Sequence, residues 1–200
     1  NGEVYTGEFA DNKPNGQGIK TLANGEQYTG EFKDGLPNGQ GTMNFNDGST
    51  YSGEWQNGQR NGQGTTTFSD GEKYEGQYMN NTPDGQGLYT FNDGSTYEGE
   101  WQNGQRSGQG TMTYSKRSKY VGAWLNGQKN GQGKETFADK KTYKGEFTDG
   151  QPNGKGTMTF PDGKKYVGDF QYGEIEGKGT LTLSNGTKYK GTFRNGNFIN

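Results

Sequence analysis

Tyrosine recurs every 23 residues along this chain, at Tyr5, Tyr28, Tyr51, Tyr74, Tyr97, Tyr120, Tyr143, Tyr166 and Tyr189, with no insertion or deletion between them. Two residues after each comes a glycine (Gly7, Gly30, Gly53 and onward), and two further an aromatic ring: Phe9, Phe32, Trp55, Tyr78, Trp101, Trp124, Phe147, Phe170 or Phe193. Later in each unit a Gly-x-Gly pair follows, as in Gly16/Gly18, Gly39/Gly41, Gly62/Gly64 and Gly108/Gly110, and four residues on stands Leu22, Phe45, Phe68 or Tyr114. Spacings of two and four are strand spacings. They predict a first strand with Tyr, Gly and ring on one face and a second with Gly, Gly and ring on one face. Each unit is therefore predicted to be a β-hairpin. Asn46-Asp47-Gly48, Ser69-Asp70-Gly71 and Asn92-Asp93-Gly94 supply the positive φ of tight turns, and the remaining connections are assigned to Asn-Gly and Pro-Asn-Gly.

The opposite face carries Glu8, Glu31, Glu54, Glu100 and Glu146 on first strands and Thr21, Thr67, Thr90, Thr113 and Thr136 on second strands, and is predicted to be polar and solvated. Composition changes the picture in one respect. With 24% hydrophobic residues and 39 glycines in 200, there are too few aliphatic side chains to fill a two-layer interior. Such a composition often accompanies disorder. Here the 14% of aromatic residues recur at fixed places, which points instead to an ordered repeat. Glycine weakens a strand interior, so its presence there predicts large rings lying over a backbone without Cβ, aromatic packing replacing an aliphatic core.

The unit Tyr-x-Gly-x-Trp/Phe-x-Asn/Asp-Gly followed by Asn-Gly-x-Gly and Asp-Gly, as in Tyr51-Ser52-Gly53-Glu54-Trp55-Gln56-Asn57-Gly58, closely resembles the MORN (membrane occupation and recognition nexus) repeat. The likeness covers essentially the whole chain as one domain over residues 1–200, eight repeats beginning at Tyr5 and every later repeat tyrosine up to Tyr166, with a partial ninth at Tyr189. It implies an all-β fold: an elongated, twisted single-layer antiparallel sheet of consecutive 23-residue hairpins, a half-pipe of about 17 strands and roughly 80 Å at the usual strand spacing. Many members carry His before the Gly-x-Gly pair, where this chain has Asn15, Asn38, Asn61, Asn130 and Asn153.

Charge is distributed unevenly. Residues 1–110 hold 6 Lys and Arg against 15 Asp and Glu, a balance of −9, while residues 111–200 hold 15 against 8, a balance of +7. The turn that is Asp-Gly elsewhere becomes Lys116-Arg117 and then Asp139-Lys140, and Asp162-Gly163 is followed by Lys164-Lys165. Together with Lys119, Lys141 and Lys144, these residues form a candidate cationic ridge for anions or acidic phospholipid, to which each lysine contributes about 1 kcal/mol near an acidic leaflet. The bland alternative is a merely solubilising surface. Opposite charge at the two ends also suggests pairing between two copies, and the last unit, ending Asn197-Phe198-Ile199-Asn200 without its Gly-x-Gly strand, leaves an edge that invites it.

The chain contains no His and no Cys, so neither the usual nucleophile–base pairs nor a thiolate metal site can be assembled, and no cofactor is expected. The Asp-Gly turns lack the ligand spacing of calcium loops, and the Gly-x-Gly pairs have no helix against which a phosphate could sit. An acidic N-terminal half argues against nucleic acid, and nothing selects a small-molecule substrate. The reading is a non-catalytic scaffold for a protein partner or a second copy of itself, the partner lying in a grooved aromatic face or on an open edge with Trp55, Trp101 and Trp124 as candidate anchors. Peripheral binding to anionic phospholipid is the alternative, and the targeting or regulatory arm of a longer enzyme a third.

Overall fold

The computed structural model describes residues 2–199. Among them the secondary structure is entirely β. The chain divides into two compact units, Asn1–Gly94 with Glu100–Gly104, and Ser95–Gly99 with Gln105–Asn200. The first holds β1 (Val4–Ala10), β2 (Lys13–Thr21), β3 (Gln27–Lys33), β4 (Leu36–Asn44), β5 (Thr50–Gln56), β6 (Gln59–Thr67), β7 (Lys73–Met79) and β8 (Thr82–Thr90). Strand β9 (Thr96–Gln102) contributes to both units. The second holds β10 (Gln105–Thr113), β11 (Lys119–Leu125), β12 (Gln128–Thr136), β13 (Thr142–Thr148), β14 (Gln151–Thr159), β15 (Lys165–Gln171), β16 (Glu174–Thr182), β17 (Lys188–Arg194) and β18 (Asn197–Phe198). Within each unit every strand pairs antiparallel with its sequence neighbours. The two-residue β18, which adds one strand to the expected number, sets Phe198 opposite Phe193.

Two kinds of turn alternate. Within a repeat the strands are joined by two residues at positive φ, such as Asp34 (51°) and Gly35 (89°), or Asn126 (50°) and Gly127 (80°). This is the type I′ geometry whose twist matches that of the flanking strands. Between repeats a type I turn is closed by a residue in the left-handed region: Gly48 N–H donates to the Phe45 carbonyl at 3.1 Å and Phe45 N–H to the Ser49 carbonyl at 3.0 Å, with Gly48 at φ 87°. The Pro-Asn-Gly segments are not connections. Pro37-Asn38-Gly39 lies inside β4, where Pro37 faces Phe32.

That placement follows from a bulge. Gly30 faces Gly41 and Phe32 faces Pro37, so four steps on β4 match two on β3. The surplus backbone turns through Gly39 at φ 105°, and the freed Gln40 N–H donates to Glu31 Oε1 at 2.8 Å. A Cβ on Gly39 would stand 2.6 Å from the Glu31 carboxyl carbon, so glycine is needed for space as well as for φ. The same amide contact recurs at Glu54 (2.8 Å), Gln77 (2.7 Å), Glu146 (3.2 Å) and Asp169 (3.0 Å). The ladder of glutamates expected to be merely solvated therefore holds the bulges. The bulge also separates the two glycines of a pair: the first lies under the side chain that follows the first-strand glycine, a carboxylate at Gly16, Gly39, Gly62, Gly154 and Gly177, the Gln77 amide at Gly85 and the Ala123 methyl at Gly131, and the second lies under the tyrosine, not on one common face.

The second glycine makes the core. Tyr51 lies along its own strand over Gly53 and Gly64, and its hydroxyl donates to the Glu54 carbonyl at 2.9 Å. A Cβ on Gly64 would be 2.5 Å from Tyr51 Cε2. The following rings Phe32, Trp55, Tyr78, Trp124, Phe147 and Phe170 then each stand edge-on between two tyrosines. Trp55 is 5.2 Å from Tyr51 and 5.1 Å from Tyr28, and Phe147 is 5.0 Å from Tyr143 and 4.9 Å from Tyr120, all near-perpendicular. Tyr51, Tyr97, Tyr120, Tyr143 and Tyr166 are completely buried. Burial of such a ring contributes about 2–3 kcal/mol, and each edge-to-face pair about 0.5–1.5 kcal/mol more.

Candidate functional site

Strand alternation leaves the face opposite the tyrosines with two rows of side chains, one residue either side of the glycines. In the second unit the first row runs Lys134, Lys144, Thr157, Val167, Thr180, Lys190, each opposite the next. In the second row Gln132 faces Glu146, Lys155 faces Asp169, and Lys178 faces Thr192. Between the rows lie Gly145, Gly156, Gly168, Gly179 and Gly191, whose own Cβ directions belong to the tyrosine face, so here the floor is backbone. The result is an open groove of about 830 Å³ crossing β12 to β17, with Lys144, Lys155, Lys178 and Lys190 on its walls. Walls two residues apart on a strand are about 7 Å apart, and six strands span about 24 Å.

The groove is cationic. Lys155 pairs with Asp169, and this hydrogen bond holds the Asp169 carboxyl below the usual carboxylate range. Among the described residues Lys134, Lys144, Lys178 and Lys190 have no ion pair. Lys134 and Lys144 face each other directly, an arrangement that disfavours folding because like charges meet across the pair. The corresponding positions of the first unit read Thr29, Thr42, Ser52, Thr65 and Glu75 in one row and Glu31, Gln40, Glu54, Gln63 and Gln77 in the other, without a lysine.

Of the cationic and aromatic residues named in the sequence as candidate binding residues, only Lys144 lies in this groove, beside Glu146 of the glutamate ladder. Lys116, Arg117, Lys140, Lys141 and Lys164 stand in three successive inter-repeat turns at one end of the strands, and Lys119 and Lys165 open the strands that follow. Lys141 and Lys164 pair with the aspartates of their own turns, Asp139 at 3.2 Å and Asp162 at 2.9 Å. Arg117 and Lys140 take the left-handed conformation (φ 63° and 69°) that glycine takes at Gly25, Gly48, Gly71, Gly94, Gly163 and Gly186. Trp55 and Trp124, 8% and 5% exposed, are built into the ring ladder, and half-buried Trp101 joins it against Tyr74 at 5.2 Å. Their indole N–H groups donate to the Gly41, Gly110 and Gly87 carbonyls at 3.1–3.3 Å, so packing leaves them little surface. The groove lies on the other face from the rings, which corrects the expectation of a grooved aromatic face.

Lys134, Lys155, Lys178 and Lys190 were not singled out by sequence reasoning. Their signal was present: the middle of the Gly-x-Gly pair is Gln from Gln17 to Gln132 and becomes Lys at Lys155 and Lys178. Among the described residues no three His, Cys, Asp or Glu converge as metal ligands, and no helix is long and apolar enough to cross a membrane.

In fold the chain resembles the TCP10 domain of CPAP from Danio rerio, a structure in complex with a peptide of STIL, with TM-score 0.56 and 12% identity over 93% of this chain and 81% of that one. The SAS-4 (dCPAP) TCP domain of Drosophila melanogaster, in complex with a proline-rich motif of Ana2, matches with TM-score 0.49 and 12% identity over 88% and 90%. No curated protein matches the chain by sequence. The MORN repeat family matches residues 5–27, 28–50, 51–73, 74–96, 97–119, 120–142, 143–165 and 166–188, each span opening on a repeat tyrosine. With eight consecutive units in the register of the tyrosine ladder, the chain belongs to the MORN repeat family.

Proposed function

We propose that the chain is a non-catalytic protein-interaction scaffold that receives a segment of its partner on the open face of the second unit. The observation that carries this reading is the groove itself. One face of each unit is closed by buried rings, while the opposite face of the second unit keeps a backbone-floored trough of about 830 Å³ whose lysines are largely unpaired. The CPAP domain of similar fold is in complex with a peptide, which is in keeping with such a use of an all-β surface. A photo-crosslinking residue at Thr157 or Thr180, on the groove wall, is expected to trap one specific protein in cells of the source organism. Recovery of lipid adducts alone would refute it.

A second reading, peripheral binding to anionic phospholipid through Lys116, Arg117, Lys140, Lys141 and Lys164, is favoured by a different observation. Arg117 and Lys140 hold a strained backbone where glycine would be unstrained, and strain retained at a charged surface position points to use. Co-sedimentation with acidic against neutral vesicles across a salt series tests it; no binding to acidic vesicles at low salt removes it.

A further inference from the structure

We propose that the groove of the second unit recognises an acidic protein segment in extended conformation. This rests on the scaffold reading and names the chemistry of its partner. Charge selects the sign. Three lysines without an ion pair, Lys144, Lys178 and Lys190, line one trough, Lys134 stands directly opposite Lys144 at a cost to folding, and the carboxylates in the same two rows are Glu146 and Asp169. Both of those carboxylates are already engaged, Glu146 with the Lys155 amide and Asp169 with the Lys178 amide and the Lys155 side chain. An anionic occupant would relieve the repulsion that the fold leaves standing.

Width selects the conformation. Walls about 7 Å apart do not admit an α-helix of 10–12 Å diameter to the floor, whereas a single extended backbone fits between them. A groove of about 24 Å holds about seven residues at 3.1–3.4 Å each. Successive side chains of an extended segment point to opposite sides. One side would meet Lys144 and Lys190, and the other Lys155 and Lys178, while the hydroxyls of Thr157, Thr180 and Thr192 supply further donors at the floor margins. The recognised segment therefore carries carboxylates on both sides of its backbone, and the first unit, with glutamates and glutamines at the same places, does not bind it.

The test is fluorescence anisotropy on the 200-residue chain with two labelled peptides of equal charge, a Glu-Glu-Pro-Pro-Glu-Glu-Pro-Pro octapeptide held extended, with glutamates on both sides of its backbone, and an alanine-based helical peptide carrying four glutamates, together with co-sedimentation on vesicles of phosphatidylcholine containing phosphatidylserine. The extended octapeptide is expected to bind at least tenfold more tightly than the helical one. Its affinity should fall at least tenfold in Lys144→Glu/Lys190→Glu and by a smaller factor in Lys144→Gln/Lys190→Gln, with both variants keeping the wild-type circular dichroism spectrum. Lys116→Glu/Arg117→Glu, in the turns, should leave it unchanged. Octapeptide binding that survives the groove substitutions, equal binding of the helical probe, or binding to vesicles alone overturns the proposal. If the crosslinks at Thr157 still trap a protein while the octapeptide is ignored, the scaffold reading stands and acid recognition falls; if neither is seen, both fall.

Discussion

Gly133→Ala tests the central packing claim, that the second glycine of each pair exists to seat a tyrosine. Gly133 lies on β12 opposite Gly122 and Gly145, with no left-handed φ, so alanine strains no backbone there. Its Cβ would nevertheless fall 2.5 Å from the Tyr120 hydroxyl oxygen, 2.6 Å from Cε2 and 2.7 Å from Cζ. Tyr120 cannot yield cheaply: it is completely buried, stacks edge-on with Trp124 at 5.2 Å and Phe147 at 4.9 Å, and donates to the Ala123 carbonyl at 2.8 Å. A shift of about 1 Å is needed to reach ordinary contact distance. Overpacking costs about 1–3 kcal/mol, the lost hydroxyl bond about 1 kcal/mol, and the weakened ring pairs about 1 kcal/mol, or about 3–5 kcal/mol in all. Gly127→Ala in the same repeat is the reference, because its Cβ meets nothing within 4 Å and only its φ of 80° is strained, at about 1 kcal/mol. Urea unfolding followed by circular dichroism measures both. In a Tyr120→Ala background the Gly133→Ala penalty should shrink below about 1 kcal/mol, since neighbours in contact are not additive. Equal penalties for Gly133→Ala and Gly127→Ala, or a penalty undiminished without Tyr120, would refute the reasoning.

Three further outcomes follow from the same structure. Burial pushes Tyr143 up to about 12 and raises Tyr28, Tyr51, Tyr74 and Tyr120 in the same direction; the stability this reflects is complete below the ordinary tyrosine value of about 10 and is lost as pH rises through the folded-state values. The main rise in absorbance at 295 nm should thus coincide with the loss of the circular dichroism signal above pH 10, and ionisation of most of the tyrosines near pH 10 with the fold intact would contradict it. Lys129→Met strands Glu135, whose side chain is 9% exposed and pairs with Lys129 at 2.5 Å, and is expected to cost about 3–5 kcal/mol in thermal or urea unfolding, whereas Lys129→Met/Glu135→Met should be near neutral; equal losses would show that the pair is not the cause. Arg117→Gly and Lys140→Gly should each stabilise the chain by about 1 kcal/mol by relieving left-handed strain, and a fall in melting temperature for either would count against that strain.

Much of the fold is legible in the sequence because the repeat is strict. Period-two spacing around Tyr51, Gly53 and Trp55 places the ring ladder, and Asp47-Gly48 and Asn57-Gly58 mark the turns, all through local stereochemistry. Pro37-Asn38-Gly39 misled because positive φ serves a bulge as readily as a turn, and only the pairing of Phe32 with Pro37 distinguishes the two. The tryptophans looked like anchors because a sequence does not reveal that Trp55 Nε1 meets the carbonyl of Gly41, fourteen residues back. The cationic groove escaped for a related reason. Lys134 and Lys144, or Lys155 and Lys178, are separated along the chain by turns and strands, and their approach depends on cross-strand register. Local spacing and side-chain size were thus enough to determine hairpins, turns and an aromatic ladder. Which cations share one trough, and which carboxylates are already occupied by backbone amides, was decided by tertiary structure, because charge acts through space and the bulge resets which residues stand opposite one another.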